Sequence, residues 1–259
     1  METKPGLAIA RHAPSGADWL LVAVLSTTAG AVDVVGFLGL GGLFVAHITG
    51  NLVVLAAHYV TGGFSQIGPL LSVPLFVIVL GAVTALFVDH ETRRARRTLL
   101  ILGAVFLSAF LGLGVGLGPF TNFDSGMAVF IGMLGVTAMA IQNALVKLEL
   151  PGFPSTAVVT TNTVQLTIDL AELVSGKGDP RDLERARRRA QLTFPSVAGF
   201  VVGCAAGGFL EVCFGLRALL LPAVLAWIAV LLGEYTLQPI PATQAAPSSF
   251  DRGNAPKSA

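Results

Sequence analysis

The chain has 259 residues, of which 54% are hydrophobic and only 12% charged, with a net charge of +1 and a mean hydropathy of +0.78. Soluble domains carry roughly a quarter charged residues, so this composition excludes an ordinary soluble enzyme or nucleic-acid-binding module and predicts a polytopic membrane protein. Cys204 and Cys213 fall in or at the end of one apolar stretch, where a helix would hold their alpha carbons about 13 Å apart, beyond disulfide reach.

Residues 1–17 are polar, contain Pro5, Gly6, Pro14 and Gly16, and are expected to form a disordered cytoplasmic tail. Trp19 opens the first span, which runs to about Leu40. Ala29-Gly30-Ala31 resembles a signal-peptidase site, but apolar character continues far past it, so the segment is expected to remain as a helix. Gly39, Gly41 and Gly42 break that helix. Phe44–Val60 is apolar but only seventeen residues long, with His47, Thr49, Gly50 and Asn51 near its head, at the lower limit for crossing about 30 Å of hydrocarbon.

Spans over Gly68–Val88 and Thr98–Gly118 flank the basic cluster HETRRARR at 90–97. In the second of them Gly112/Gly116 and Gly114/Gly118 have the G-x-x-x-G spacing that predicts tight helix packing. After PFTNFDS at 119–125 comes a span over Gly126–Val146, with Gln142 and Asn143 near its end. A break at 150–154 leads to a second ambiguous segment, Ser155–Val174, carrying Thr160, Thr161, Asn162, Thr163, Gln165, Asp169 and Glu172. In DPRDLERARRR, residues 179–189, Asp179 as N-cap and Pro180 at the first helical position predict a short surface helix. The last spans are about Gln191–Leu210 and Leu216–Leu232, and the Pro-, Ala- and Ser-rich residues 236–259 predict a second disordered tail. A single transmembrane domain over 18–235 results.

That domain contains a repeat, with halves at about 18–118 and 126–233. TAGAVD at 28–33 matches TAMAIQ at 137–142, and AHITGNLVVLA at 46–56 matches AVVTTNTVQLT at 157–167. Lys and Arg in short loops mark the cytoplasmic side, so the clusters at 93–97 and 177–189 both belong inside, which two intervening crossings allow and three forbid. Ser155–Val174 then enters and returns. The same treatment of Phe44–Val60 leaves only Arg217, of the sixteen basic residues, outside. The expected fold is an all-α, polytopic membrane helical bundle: six full spans plus two short re-entrant or broken segments in an inverted internal repeat, both termini cytoplasmic. The rival arrangement makes all eight segments full spans and misplaces one basic loop.

Polar residues inside a segment otherwise fit for lipid need partners or a protein-lined cavity. Thr49-Gly50-Asn51 and Thr160-Thr161-Asn162 stand where short helices would begin, where side-chain oxygens accept from unpaired N–H groups and Gly50 permits close approach. Two such N-termini meeting near the midplane would present positive dipole ends to a small anion, a carboxylate or a neutral polar solute. The structural alternative for any one of these residues is an interhelical hydrogen bond worth about 0.6 kcal/mol. Asp33 is well inside the first span, where a carboxylate costs roughly 2.5–3.5 kcal/mol on insertion scales. His47 could partner it in a proton relay, a bond to Thr or Asn is the equal alternative, and the repeat partner of Asp33 is the neutral Gln142. Asp169 and Glu172, nearer a segment end, are expected to face water. The substrate-binding set is therefore Asp33, His47, Thr49, Gly50, Asn51, Gln142, Thr160, Thr161 and Asn162.

No H-E-x-x-H, G-x-S-x-G or Walker sequence occurs, and His12, His47, His58 and His90 are dispersed, so neither catalysis, a metal nor a cofactor is expected. AGAVDVVGFL and FVAHITGN carry a resemblance. Ala29, Gly30, Asp33 and Phe37 fit an A-G-x-x-D-x-x-x-F/Y helix, and Phe44, Thr49, Gly50 and Asn51 fit a phenylalanine preceding T-G-N. With the Thr-rich TTNT at 160–163, the chain resembles, over about residues 17–235, the YoaK-like family of uncharacterised bacterial membrane proteins (domain of unknown function 1275). The resemblance implies the bacterial inner membrane and no particular activity, and His47 stands where that pattern carries a variable or amide residue. From the residues themselves the first expectation is a small transporter or channel for a small polar or anionic solute. The alternative is a membrane scaffold or lipid-interacting protein, and an intramembrane enzyme ranks last. Expected partners are membrane lipids and the solute, with no nucleic acid, and the Gly-rich faces permit a homo-oligomer.

Overall fold

The computed structural model describes residues 16–62, 65–88, 92–150, 153–156 and 159–235; the expected tails at 1–15 and 236–259 lie outside them. In an apolar solvent every backbone N–H and C=O must be satisfied within its own segment, and the described chain is helical throughout, with no strand. The helices are α1 (Gly16–Gly39), α2 (Ile48–Thr61), α3 (Ile67–Phe87), α4 (Thr92–Leu117), α5 (Gly126–Glu149), α6 (Val159–Ser175), α7 (Pro180–Phe214) and α8 (Leu220–Tyr235), with a 3-10 turn at Gly215–Leu219. Among the described residues five stretches are long and apolar enough to cross a bilayer, the last of them, Pro180–Glu234, running through α7 and nearly all of α8. At 1.5 Å per residue the 14 residues of α2 reach only about 21 Å.

Local signals set several of the boundaries. Ser125 caps α5 by accepting from the Ala128 N–H at 3.3 Å, and Asp179 caps α7 by accepting from the Arg181 N–H at 2.8 Å. The short surface helix expected after Asp179 is the opening of a 35-residue α7 that runs on through Pro195. Nothing between Arg189 and Thr193 stops a helix, so the charged turns and the apolar span are one rod. α4 likewise starts inside the basic cluster rather than at Thr98.

α1 packs most extensively on α7 and also on α8, while α5 packs on α3 and α4; α2 lies on α3, α6 on α7, and α4 meets α8. The core filling these contacts includes Leu21, Val32, Val45, Phe110, Ile131, Met139 and Leu219. The closest packing falls on a glycine series beyond the expected one. Of the two expected pairs, Gly112/Gly116 faces open space, while added Cβ atoms at Gly114 and Gly118 would stand 3.3 Å from Leu219 and 2.8 Å from Leu216; on α7, one at Gly199 would lie 2.6 Å from the Ala23 carbonyl oxygen, one at Gly207 2.9 Å from the Ala31 Cα, and one at Gly203 would collide with the Thr27 carbonyl. Gly199, Gly203 and Gly207 thus form a small-xxx-small face on α7 that admits α1 at backbone contact. Both cysteines are on α7 and free.

Ion pairs and loop bonds show which helix ends lie together. Arg96 near the start of α4 meets Asp18 near the start of α1 at 2.9 Å, and Arg97 meets Glu234 near the end of α8 at 3.0 Å. Beyond the end of α1, the Ser65 N–H donates to the Gly41 carbonyl at 2.8 Å, so the chain leaving α2 comes back to where it left α1. Gly41 takes φ +65°, and a Cβ there would stand 2.5 Å from the Phe123 ring, so both backbone and space call for glycine.

Candidate functional site

Asp33 is two turns from the end of α1 and 3% exposed. Its Oδ1 accepts from the backbone N–H groups of Ala46 (2.6 Å) and His47 (3.1 Å), the last residues before α2 begins. The carboxylate therefore sits at the N-terminus of that helix, where unpaired donors and the dipole favour a negative charge. Its contacts are to backbone, rather than to the His47 imidazole or to a Thr or Asn side chain. His47 is the N-cap residue of α2 without a side-chain cap bond, and its ring lies 6.0 Å from that of Phe44.

Asn51, fully buried, reaches back from the first turn of α2 to the chain seven residues earlier. It accepts from the Phe44 N–H at 2.8 Å and donates to the Phe44 carbonyl at 2.7 Å and to Ser72 Oγ on α3 at 2.7 Å. Phe44 lies outside any helix, so this carboxamide supplies the bonds that secondary structure does not. Gly50 lets the Phe44 ring settle on the helix, since a Cβ would meet that ring at 2.8 Å.

A similar arrangement stands at the head of α6. Gln142, 5% exposed on α5, donates to the Leu25 carbonyl of α1 at 3.0 Å and to Thr156 Oγ1, in the chain leading to α6, at 3.1 Å. Asn162, 6% exposed, donates to the carbonyl of Ser155, again seven residues earlier, at 2.7 Å, and to Ser196 Oγ on α7 at 3.2 Å. Ser26 on α1 donates to the same Ser196 hydroxyl at 3.2 Å. Asp33, Asn51, Gln142 and Asn162 are thus brought into two buried networks, one at the head of each short helix. Thr49, Thr160 and Thr161 lie on exposed faces of α2 and α6, apart from them. Ser72, Ser196 and Thr156, all fully buried, are the partners that the sequence reading missed; a serine beside Pro195 and another two residues before Pro74 were the available signals.

Charged groups gather nearer the helix ends. Asp169 is fully buried, contrary to its expected place in water: Arg189 pairs with its Oδ1 at 2.7 Å, and Gln165 donates to it at 3.0 Å. The long α7 causes this by carrying Arg189 alongside α6. Glu172 stays half-exposed, 3.5 Å from Arg189. In the loop before α5, burial alone would push the Asp124 carboxyl up, but donation from the Ile67 N–H, the Ser65 hydroxyl and the Gln66 N–H, with His58 nearby, holds it below the usual carboxylate range. A cavity of about 20 Å³ lies between α1, α4, α5 and α8, apolar except for Gln142. No cluster of three metal-ligating side chains occurs among the described residues.

An all-helical chain with several bilayer-length apolar stretches and buried polar anchors is compatible with one class, the polytopic membrane proteins. More narrowly, the chain belongs to the family described as protein of unknown function DUF1275, whose model matches residues 21–232. No curated protein and no solved structure matches it.

Proposed function

We propose that the protein is a transporter or channel of the bacterial inner membrane for a small polar or anionic solute, built as an inverted repeat of six spans and two returning helices. The observation that carries this reading is the equivalence of the anchors. Asp33 and Gln142 each hold the chain entering a short helix; Asn51 and Asn162 each hold the residue seven positions back; Ser72 and Ser196 each brace the asparagine from the next long helix.

The helix ends support the topology. Asp18 and Arg96 bring the starts of α1 and α4 together, which supports an even number of crossings between them, with α2 returning to the side it came from. The Gly41–Ser65 bond agrees. The Arg97–Glu234 pair brings the end of α8 to the start of α4, which supports an even number of crossings by α4, α5, α6, α7 and α8 together, with α6 returning as α2 does. Both basic clusters then face the cytoplasm with the termini. Exchanging α1–α4 for α5–α8 maps the packing onto itself: α1 on α7 becomes α5 on α3, α1 on α8 becomes α5 on α4, and α2 on α3 becomes α6 on α7.

The packed units are therefore α1 with α6 and α7, and α5 with α2 and α3. Asp33 and Gln142 each reach from one unit towards the other. The 20 Å³ cavity against Gln142 holds about one water, so passage of a solute takes a relative movement of the units, and the two anchors are where that movement is felt. Only one of the paired helix ends carries a built-in anion, Asp33; the counterpart, Gln142, is neutral, and an anionic or polar solute suits that second end.

Uptake into proteoliposomes, across a panel of small inorganic anions, carboxylates and neutral polar solutes, tests the reading with wild type, Asp33→Asn and Asn51→Ala. Uptake of at least one solute, lowered in the folded variants, supports it. Folded and inserted protein that moves nothing in the panel would instead favour a membrane scaffold or lipid-interacting protein.

A further inference from the structure

The corner where α7 hands over to α8 holds an open groove of about 500 Å³, walled by Leu210, Phe214, Leu220, Leu221 and Val224, with Arg217 the one charged residue among its lining. Phe214, Leu220 and Val224 are each about half exposed, at 57%, 58% and 47%. Arg217 is exposed and has no ion-pair partner among the described residues. The acidic residue nearest to it in sequence, Glu211, sets its Oε1 3.0 Å from where a Gly39 Cβ would stand at the end of α1 and makes no ion pair with Arg217.

An apolar trough at the end of two apolar helices, with a bare guanidinium in its wall, offers two things at once. The trough takes an acyl chain by shape, through van der Waals packing along its walls. The guanidinium, at the helix ends and hence at headgroup depth, matches the paired oxygens of a phosphate. A headgroup carrying its own ammonium would set a second cation beside Arg217, so the complementary headgroup is one with net negative charge. We infer that this groove binds one anionic phospholipid, an acyl chain lying along Phe214, Leu221 and Val224 and the phosphodiester on Arg217. The inference rests on the membrane placement of α7 and α8 and is independent of whether the protein transports.

The full chain in mild detergent is titrated with phosphatidylglycerol, with phosphatidylcholine of the same chains, and with soluble glycerol phosphate, and bound lipid is counted by native mass spectrometry. Wild type is expected to retain phosphatidylglycerol about tenfold more than phosphatidylcholine, whose ammonium repels Arg217 while its phosphodiester is the same, a difference of about 1.4 kcal/mol, and to ignore glycerol phosphate. Arg217→Gln should erase the preference while keeping the lipid-free unfolding temperature of wild type. Val224→Trp, which fills the trough, should lose both lipids, and Arg185→Gln, removing an arginine elsewhere, should change nothing. Equal retention of the two lipids by wild type, or a preference surviving in Arg217→Gln, overturns the proposal. Competition by glycerol phosphate at equal strength overturns it as well, because the site would then recognise phosphate without a chain.

Discussion

Asn51→Ala should be among the most damaging single truncations in the first half. The side chain is fully buried and makes three hydrogen bonds, two of them to the N–H and C=O of Phe44. Removing it strands both backbone groups, each at about 1–3 kcal/mol, while Ser72 keeps its bond to the Pro69 carbonyl. The expected loss is therefore about 2–5 kcal/mol, several times the roughly 0.6 kcal/mol of an average interhelical side-chain bond in a membrane. Ser72→Ala, which removes one of the three bonds, should cost about 1 kcal/mol, and Leu52→Ala, on an exposed face of the same helix, should cost little. Reversible unfolding in mixed micelles gives all three values on one scale. An Asn51→Ala loss no larger than that of Leu52→Ala would refute the assignment of this side chain as the brace of the residue 40–47 turn.

Gly203→Val should separate α1 from α7 and lower the unfolding temperature sharply, whereas Gly112→Ala and Gly116→Ala, with open space at their Cβ positions, should be neutral or stabilising by up to about 1 kcal/mol through helix propensity; the same thermal assay compares them. Because the folded Asp124 carboxyl is held below its ordinary value, its contribution is present above about pH 4 and is lost as pH falls through that value towards the folded pKa. The stability gap between wild type and Asp124→Asn should therefore be constant from pH 7 to about 5 and close under acid, and a gap that widened instead would contradict the bonds at Ser65–Ile67. Arg189→Ala leaves Asp169 buried without its cation, and since Arg189 is 45% exposed, the cost should fall between the ~1 kcal/mol of a surface pair and the ~3–5 kcal/mol of a buried one. Asp169→Asn in the Arg189→Ala background should recover much of that loss in a double-mutant cycle.

The sequence was most informative where a single property decides the outcome. Uninterrupted apolar length marked α1, α3 and α5 to within about three residues, and the same property picked out Asp33, Asn51, Gln142 and Asn162 as polar groups in need of partners. It could not say that each of them has a partner in the chain before α2 or α6, backbone for Asp33, Asn51 and Asn162 and the Thr156 hydroxyl for Gln142, because that chain has no periodicity to read. The threonines at 49, 160 and 161 share a first turn with the asparagines, yet a helix turns few of its positions inward per turn, and sequence spacing does not say which. Glycine spacing has the same blind spot: it shows that a face of α4 or α7 is small, while the neighbour that α7 meets is set by tertiary packing. Asp169 stands near a segment end, where water is the expected surrounding, but residues 179–189 are the first turns of α7 rather than a separate surface helix, so Arg189 lies beside α6 and the carboxylate goes under cover.

The claim on which the rest depends is that α2 and α6 return to the side they came from. Sided labelling tests it, with single cysteines placed by Arg94→Cys at the start of α4, Glu184→Cys at the start of α7 and Thr121→Cys in the loop between α4 and α5, after Cys204 and Cys213 are replaced. In oriented vesicles treated with an impermeant thiol reagent, positions 94 and 184 should react from one face and position 121 from the other. Opposite faces for 94 and 184 would mean that α6 crosses the membrane, which would contradict the account.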